Sequence, residues 1–473
     1  MWMKKSSTQL LIIKYKKFKI HENFTREVSK MTTSTVAIII ASITMIIFFM
    51  GKFPMSVTAV GCALAMGICI PQMKLSQIYS GFGGSSIVMV AGMMIVGDAL
   101  FQTGIAQRIG AKICQYKIAQ NEKVFILVVV TICTLMSAFM SNSGCIAMWM
   151  PIIAAVAAGS KGKIRSKMVI MPAGIACIIG GGATLTGSVS QVAANAVLMG
   201  TPGYEAGMGV FDMTKIMWPV CLLQLVYWGT FGYSILKWAL KPGSPDFDKG
   251  NCFATASTDL DDHKFDDIPE WKGKMSVFVM LLCIVGFVLS GHPFFKKYLN
   301  IADVAMIGAL ILFVTKTVPL KPTLAKLDWD ILIMVGAVTA LGTGIDVSGA
   351  GKVLANGVLN QFFEGANTSV SQLMTVLIVF TSVLTLFMQN GSVAAAFSPI
   401  FISMAKILGI SPLPFIIIIG ATTNMAIASH IGTAVNMQIL PAGYKPIDYV
   451  KIGGPLFIIS VVIMCIIAPM VLL

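Results

Sequence analysis

Phe139-Met140-Ser141-Asn142-Ser143-Gly144 runs on to Met150-Pro151-Ile152, and 248 positions later Phe387-Met388-Gln389-Asn390-Gly391-Ser392 runs on to Ser398-Pro399-Ile400. Phe, Met, Asn, the pair Ala147/Ala395 and the proline coincide. Each copy is a short break of polar and small residues inside an apolar segment. In a membrane protein, broken apolar segments at matching places in two halves point to a transporter's binding site.

Composition supplies the membrane. The chain has 473 residues, 56% hydrophobic and 11% charged, with a mean hydropathy of +0.84. A soluble chain carries about 25% charge. Met31 to Met50 and Met275 to Ser290 hold no charge and fit spanning helices of roughly 20 residues. The 44 glycines and 32 methionines suit close packing and irregular backbone in a bilayer. None of the ten cysteines has metal-ligand spacing. Cys62, Cys133, Cys145, Cys177 and Cys283 lie in apolar segments and read as small packing residues, with no disulfides and no metal beyond sodium. The net charge of +14 reads as an orientation signal, since no soluble domain supports a nucleic-acid partner.

Outward from the two breaks, the order helix, hairpin, broken helix, helix occurs twice. The first repeat is 33–238, with helices at about 33–50, 54–71 and 85–101. Its re-entrant hairpin is 124–159, broken at 141–144. An apolar segment at 168–200 follows, interrupted from Gly180 to Ser188, then a helix at 215–238. Residues 239–274 form a hydrophilic cytoplasmic linker whose carboxylates, Asp259 to Asp267, match no metal-loop template. The second repeat is 275–473, with helices at 275–290 and 302–318 and another from Trp329. Its hairpin is 371–407, broken at 389–392. The apolar segment 413–440 is interrupted from Ser429 to Thr433, and the last helix starts near Gly453. Gly342 to Gly349 matches Gly97 to Gly104 at a shift of 245, glycine on glycine, and Gly432-Thr433 matches Gly187-Ser188 at the same shift.

The positive-inside rule puts the basic loops 104–123, 160–167, 316–326 and 445–451 in the cytoplasm and 349–370 outside. The first hairpin then opens from the cytoplasm and the second from outside. This predicts an all-α polytopic protein of inverted repeats. Residues 1–32 are lysine-rich, and their apolar run, Leu10 to Ile13, is too short to span. They read as a basic arm or as a mis-assigned start. Arg26-Glu27-Val28 can be encoded by AGG-GAG-GTN, like a ribosome-binding sequence ahead of Met31. Residue 33 falls outside by the loop count, which a start at Met31 accommodates and a basic arm does not.

Non-helical backbone at membrane depth survives where protein or a wet cavity satisfies it. Carbonyls and hydroxyls at the breaks suit a hard monovalent cation, and helix N-termini suit an anion. These residues resemble the divalent anion:sodium symporters of the ion transporter superfamily. The two tips are similar to that family's Ser-Asn-Thr motifs. Gly180 to Gln191 resembles its Gly-Gly-x-x-Thr-Leu-x-Gly-Ser-Pro-Pro-Asn segment, and Gly432 to Asn436 its second-half Thr-Pro-Pro-Asn. The resemblance covers about 33–473. It implies a homodimeric elevator transporter, a mobile transport domain on a scaffold, in the cell (inner) membrane. One sodium site maps to Ser137, Ser141, Asn142 and Gly187, and another to Thr385, Asn390 and Gly432. The anion maps to Asn142, Ser143, Ser188, Asn390, Gly391 and Thr433. The chain departs from the family at Gln389 for Ser, at Gly391 for Thr (Ser392 being the neighbouring hydroxyl), and at Val189-Ser190 and Ala434-Val435 for the proline pairs.

Three ionisable residues fall in apolar segments: Asp98, Asp346 and His430. Asp98 and His430 are candidates for proton coupling. Asp346, flanked by glycines, reads equally as a helix-end residue. The expected function is sodium-coupled symport of a small di- or tricarboxylate, without a bound cofactor. The alternatives are proton-coupled or exchange transport of an organic or inorganic anion such as sulfate, and an anion channel. No nucleophile motif supports an enzyme.

Overall fold

The computed structural model describes residues 32–50, 52–105, 121–160, 162–247, 249, 251, 268–290, 298, 300–362 and 369–473. The N-terminal arm with its alternative start, most of the basic stretch before the first hairpin and the acidic run of the linker lie outside the described residues.

The first half contains α1 (Thr33–Met50), α2 (Met55–Cys69), α3 (Leu75–Tyr79), α4 (Ser85–Gln102), α5 (Glu122–Ser137), α6 (Asn142–Gly159), α7 (Ser166–Gly181), α8 (Val189–Met199), α9 (Thr214–Tyr227) and α10 (Tyr233–Leu240), the last two joined by a π-helical turn. The second contains α11 (Glu270–Ser290), α12 (Ile301–Val314), α13 (Leu320–Ala325), α14 (Trp329–Val347), α15 (Ala350–Phe362), α16 (Val370–Leu384), α17 (Asn390–Ile407), α18 (Leu413–Thr422), α19 (Ala434–Gln438) and α20 (Pro446–Leu472). Six helical stretches among the described residues are long and apolar enough to cross a membrane. α7, α8, α18 and the arm α16 are shorter apolar helices.

Polar side chains fix where these helices start. Asn121 accepts N–H bonds from Lys123 and Val124 at the head of α5. Asn300 and Asp303 exchange bonds across the first turn of α12, and Ser369 and Gln372 do so at α16. Such reciprocal caps satisfy N–H groups that the helix itself leaves free. The two glycines aligned by the sequence repeat, Gly104 and Gly349, share a left-handed backbone with φ of 66° and 72°. That conformation is open to glycine without a steric penalty.

The packing falls into two groups. In one, α14 lies along α2 and α4 lies along α12, with α11 behind α12. In the other, the first hairpin packs on α7, the second on α18 and α20, and α8 inserts against α17 and α18. Each half thus contributes to both groups. The groups meet where α8 and α17 face α14, α15 and α1. On that seam Lys406 Nζ of α17 lies 2.9 Å from Asp346 Oδ1 of α14. Asp346 is therefore a surface ion-pair partner.

Several boundaries differ from the sequence reading. The tips begin earlier, because Asn142 and Asn390 already sit in the first turns of α6 and α17. The breaks are 138–141 and 385–389, and the broken segments open at 182–188 and 426–433. The last helix starts at Pro446, whose fixed φ suits a first helical turn, with Asp448 accepting the Lys445 N–H at 2.8 Å. Residues 350–362, expected as an outside loop, form α15. The sequence carries Lys352, Asn356 and Asn360 at four-residue spacing in a 13-residue segment, so it lacks the signature of a span. The short helices α3 and α13 also went unread.

The foot of the first hairpin is tied by one buried carboxylate. Glu122 accepts from Arg165 N–H (2.9 Å), Arg165 Nε (3.0 Å), Arg165 Nη2 (2.6 Å) and the Tyr233 hydroxyl (2.9 Å). These bonds raise the Arg165 guanidinium above its ordinary pKa. Glu122→Ala strands these donors, and hydrogen bonds to charged groups are worth about 1.5–3 kcal/mol. A lower melting temperature in detergent is the expected result; unchanged melting would show that the clamp contributes nothing.

Candidate cation and anion site

The site is built from helices that end inside the protein. Ser137 closes α5 and Thr385 follows α16, and both side chains are wholly buried. Ser137 Oγ donates to the Cys177 carbonyl of α7 at 2.7 Å. Thr385 Oγ1 lies 2.9 Å from the Thr423 carbonyl at the end of α18. Five residues after each hydroxyl comes the tip asparagine. Thr385 Oγ1 is 2.8 Å from Asn390 Oδ1. In the orientation that satisfies every partner, Asn142 Nδ2 donates to Ser137 Oγ (2.8 Å), the Gly187 carbonyl (2.9 Å) and, at longer range, the Cys177 carbonyl (3.3 Å).

The two sets are built alike, from a buried hydroxyl, a helix-end carbonyl and the tip amide. The Thr385 hydroxyl has a single proton and faces two acceptors. Around Asn142 three oxygens converge on one amide group, and its NH2 supplies the positive end they need. Hard monovalent cations are bound by such clusters of neutral oxygens, so either set can receive one.

Glycine lets the broken segments close on these oxygens. A Cβ on Gly187 would stand 2.5 Å from the Gly181 carbonyl oxygen and 2.8 Å from that of Ser137. One on Gly432 would stand 2.1 Å from the Thr385 carbonyl oxygen. Behind each glycine a buried amide ties down the end of the preceding half-helix. Gln191 Nε2 donates to the Gly181 carbonyl at 2.7 Å, and Asn436 Nδ2 to the Ala426 carbonyl at 2.7 Å. These amides are 245 positions apart, as Gly187 and Gly432 are. The sequence reading passed them over, although the common shift was the signal that could have found them.

A cavity of about 340 Å³ opens in front of both tips. Asn142, Ser143, Gly187, Ser188, Asn390, Gly391, Gly432 and Thr433 all reach its wall, so the structure gathers the sequence-derived site residues in one place. Ser137 and Thr385 stand one layer behind. Ser188 and Thr433 precede α8 and α19 in nearly the same extended conformation, and neither hydroxyl caps its helix. Ser141 Oγ accepts the Gly144 N–H at 3.1 Å, whereas Gln389 makes no such cap for α17. The N-terminus of α17 therefore has more free N–H capacity for an anion.

The opposite wall carries Met55, Met89, Met93 and Met94, with Asp98, Lys326 and Asp328 at its polar part. The Asp98 carboxylate accepts from Gln102 Nε2, which also donates to Thr323 Oγ1 at 3.0 Å. His430 lies outside the cavity lining, its ring 6.3 Å from that of Tyr449. Ser392 does not supply the hydroxyl missing at Gly391. It is 2% exposed and turned away from the cavity, because the first turn of α17 rotates it behind its neighbour.

The pattern of the citrate transporters matches residues 45–366, and that of the sodium:sulfate symporter transmembrane region matches 270–472. The chain belongs to the divalent anion:sodium symporter family. It is a multi-pass membrane transporter and not an enzyme. A sodium-dependent high-affinity dicarboxylate transporter of Caenorhabditis elegans is 22% identical over 416 residues, covering 73% of this chain and 72% of that protein. An uncharacterized transporter of Haemophilus influenzae is 25% identical over 418 residues, covering 85% and 83%. The similarity to the Escherichia coli transporter YfbS, 28% over 188 residues, spans 39% of this chain and 30% of that protein. The solved structure of Neisseria gonorrhoeae MtrF shares the fold, with a TM-score of 0.56, 13% identity and 94% and 97% of the two chains covered.

Gly432→Ala forces a methyl group onto the Thr385 carbonyl, whereas Gly454→Ala meets nothing within 4 Å. The expected outcome is that sodium raises the melting temperature of the wild type and of Gly454→Ala but not of Gly432→Ala. An equal response in all three would remove Gly432 from the cation site.

Proposed function

We propose that the protein is a sodium-coupled symporter that carries a small divalent anion across the cell membrane, with a di- or tricarboxylate as first candidate and sulfate as second. The observation that carries this reading is the pair of matched oxygen sets, Ser137 with Asn142 and Thr385 with Asn390, behind one cavity. The name of the Caenorhabditis elegans relative, a sodium-dependent dicarboxylate transporter, supports the same cation and substrate class.

The order of events follows from the geometry. A cation entering the first set replaces the Asn142 NH2 as the positive partner of the Ser137, Cys177 and Gly187 oxygens. The amide can then turn its NH2 toward the cavity. A cation in the second set satisfies the acceptor left over beside Thr385. Both events place positive charge behind the tips, where an anion meets Ser143, Ser188, Thr433 and the N-terminus of α17. Cation binding thus lowers the desolvation penalty of receiving the anion. The group formed by the hairpins and α7, α8, α18 and α19 would then slide past the group containing α2, α4, α12 and α14 as an elevator, in a homodimer. Lys326 and Asp328 line the cavity, and the positive-inside rule puts the loop 316–326 in the cytoplasm, which supports reading the arrangement as inward-open. The Lys406–Asp346 pair on the seam must part as the groups slide.

The reading is tested in proteoliposomes with sodium or choline outside. Sodium should drive accumulation of a dicarboxylate above equilibrium, which a channel cannot do. Asn142→Ala and Asn390→Ala should each lower that uptake about 10-fold or more, the scale of losing one hydrogen bond to a charged group. Uptake indifferent to sodium but driven by a proton gradient, and lost in Asp98→Asn, would replace sodium coupling by proton coupling.

A further inference from the structure

Cys133, Cys145 and Cys177 come from three helices, α5, α6 and α7. All three side chains are wholly buried, and their sulfur atoms lie within 4.8 Å of one another. They are 12 and 32 positions apart, which is why spacing alone gave no hint of a group. Among the described residues no histidine or carboxylate joins them. Three sulfur ligands around one ion with metal–sulfur bonds of about 2.3 Å stand about 4.0 Å apart, so the cluster needs only a small contraction to close on an ion. A donor set of sulfur alone selects soft ions over sodium, magnesium or calcium.

We propose that these three thiols form a site for a soft, thiophilic metal ion of the mercuric class, and that filling it locks the first hairpin to α7. Binding of Hg²⁺ by two thiolates and one thiol releases two protons to bulk water and leaves the group neutral, as a dry interior requires. The lock acts on the cation site directly. Cys177 supplies both a sulfur to the cluster and the carbonyl that accepts from Ser137 Oγ. Cys145 Sγ also rests 3.8 Å from the Cys133 carbonyl, so one ion would join both arms of the hairpin to the helix they pack on. The tip could no longer adjust around Asn142, and transport would stop.

The test is a titration of the reduced, purified full chain with Hg²⁺, followed by sulfur-to-metal charge-transfer absorption in the ultraviolet. One tight equivalent is expected for the wild type. Cys133→Ser, Cys145→Ser and Cys177→Ser should each lose it while keeping every other thiol. Cys62→Ser and Cys283→Ser, buried but outside the cluster, should retain it. A tight equivalent that survives in the three cluster variants, or none in the wild type, overturns the proposal. Because a serine at these sites could weaken folding, Cys133→Ala, Cys145→Ala and Cys177→Ala give a second set, and melting of the metal-free proteins shows which variants fold. Transport is read separately: one equivalent of Hg²⁺ should abolish uptake by the wild type and spare a folded Cys145→Ala. The absorption result stands whatever cation drives transport, so failure of the metal site and failure of sodium coupling are separate outcomes.

Discussion

A helix that stops inside a membrane protein leaves carbonyl oxygens with no N–H to receive, and the rest of this structure answers that demand. Four helices stop this way, α5, α7, α16 and α18. Their last oxygens are met by hydroxyls from Ser137 and Thr385, by amides from Gln191 and Asn436, and by the Thr184 hydroxyl on the Ala138 carbonyl. At the first tip the Asn142 amide completes the supply, and at the second the single Thr385 proton faces two acceptors. The deficit beside Thr385 is small enough for the fold to tolerate.

The two-group packing follows from the same repeat. α4 pairs with α12 and α14 with α2, so each half completes a layer that the other half begins. Neither half could bury its apolar faces alone. The group holding the tips is likewise mixed, with α8 of the first half set between α17 and α18 of the second. Both oxygen sets are therefore carried by one packed group, and their separation is fixed by helix packing. The methionine wall belongs to the other group. One side of the cavity is polar and shaped by backbone, and the other is smooth and adaptable, because methionine side chains change shape at little cost.

Much of this was legible in the sequence because it repeats. The shift of 248 found the tips, and the shift of 245 found Gly187 with Gly432 and Gly104 with Gly349. Features without a repeat were not legible. The three thiols come from one half only, and their meeting depends on how α5, α6 and α7 cross. Glu122 adjoins the basic stretch 104–123, and its partners Arg165 and Tyr233 lie 43 and 111 positions on. The first turns of α6 and α17 were read as broken backbone because Asn, Ser and Gly favour turns. Context overrides that preference here, since each tip asparagine packs its amide inward and the helix can begin at once.

The departures from the family's pattern do not all fall on one side of the proposed site, since Gln389 stands at the counterpart of Ser141 while the others face the cavity or open the half-helices. The positions of the lost proline pairs, Val189-Ser190 and Ala434-Val435, simply form the first turns of α8 and α19, and the extended residues before them keep matching conformations. At Gly391 the missing side chain has been replaced from elsewhere. The space its Cβ would enter is bounded by Val189 Cγ1 at 3.3 Å and by Met334 Cε and Met55 Sδ at 3.4 Å. A threonine would have to displace methionine there, so glycine and the two methionines belong together. The first tip offers an anion an amide and the Ser143 hydroxyl. The second offers an amide, bare backbone N–H groups and an apolar wall. A ligand with two equal polar ends would leave one end less well satisfied than the other. For the symporter proposed above, this asymmetry would favour an anion whose second end is smaller or carries apolar surface beside its charge.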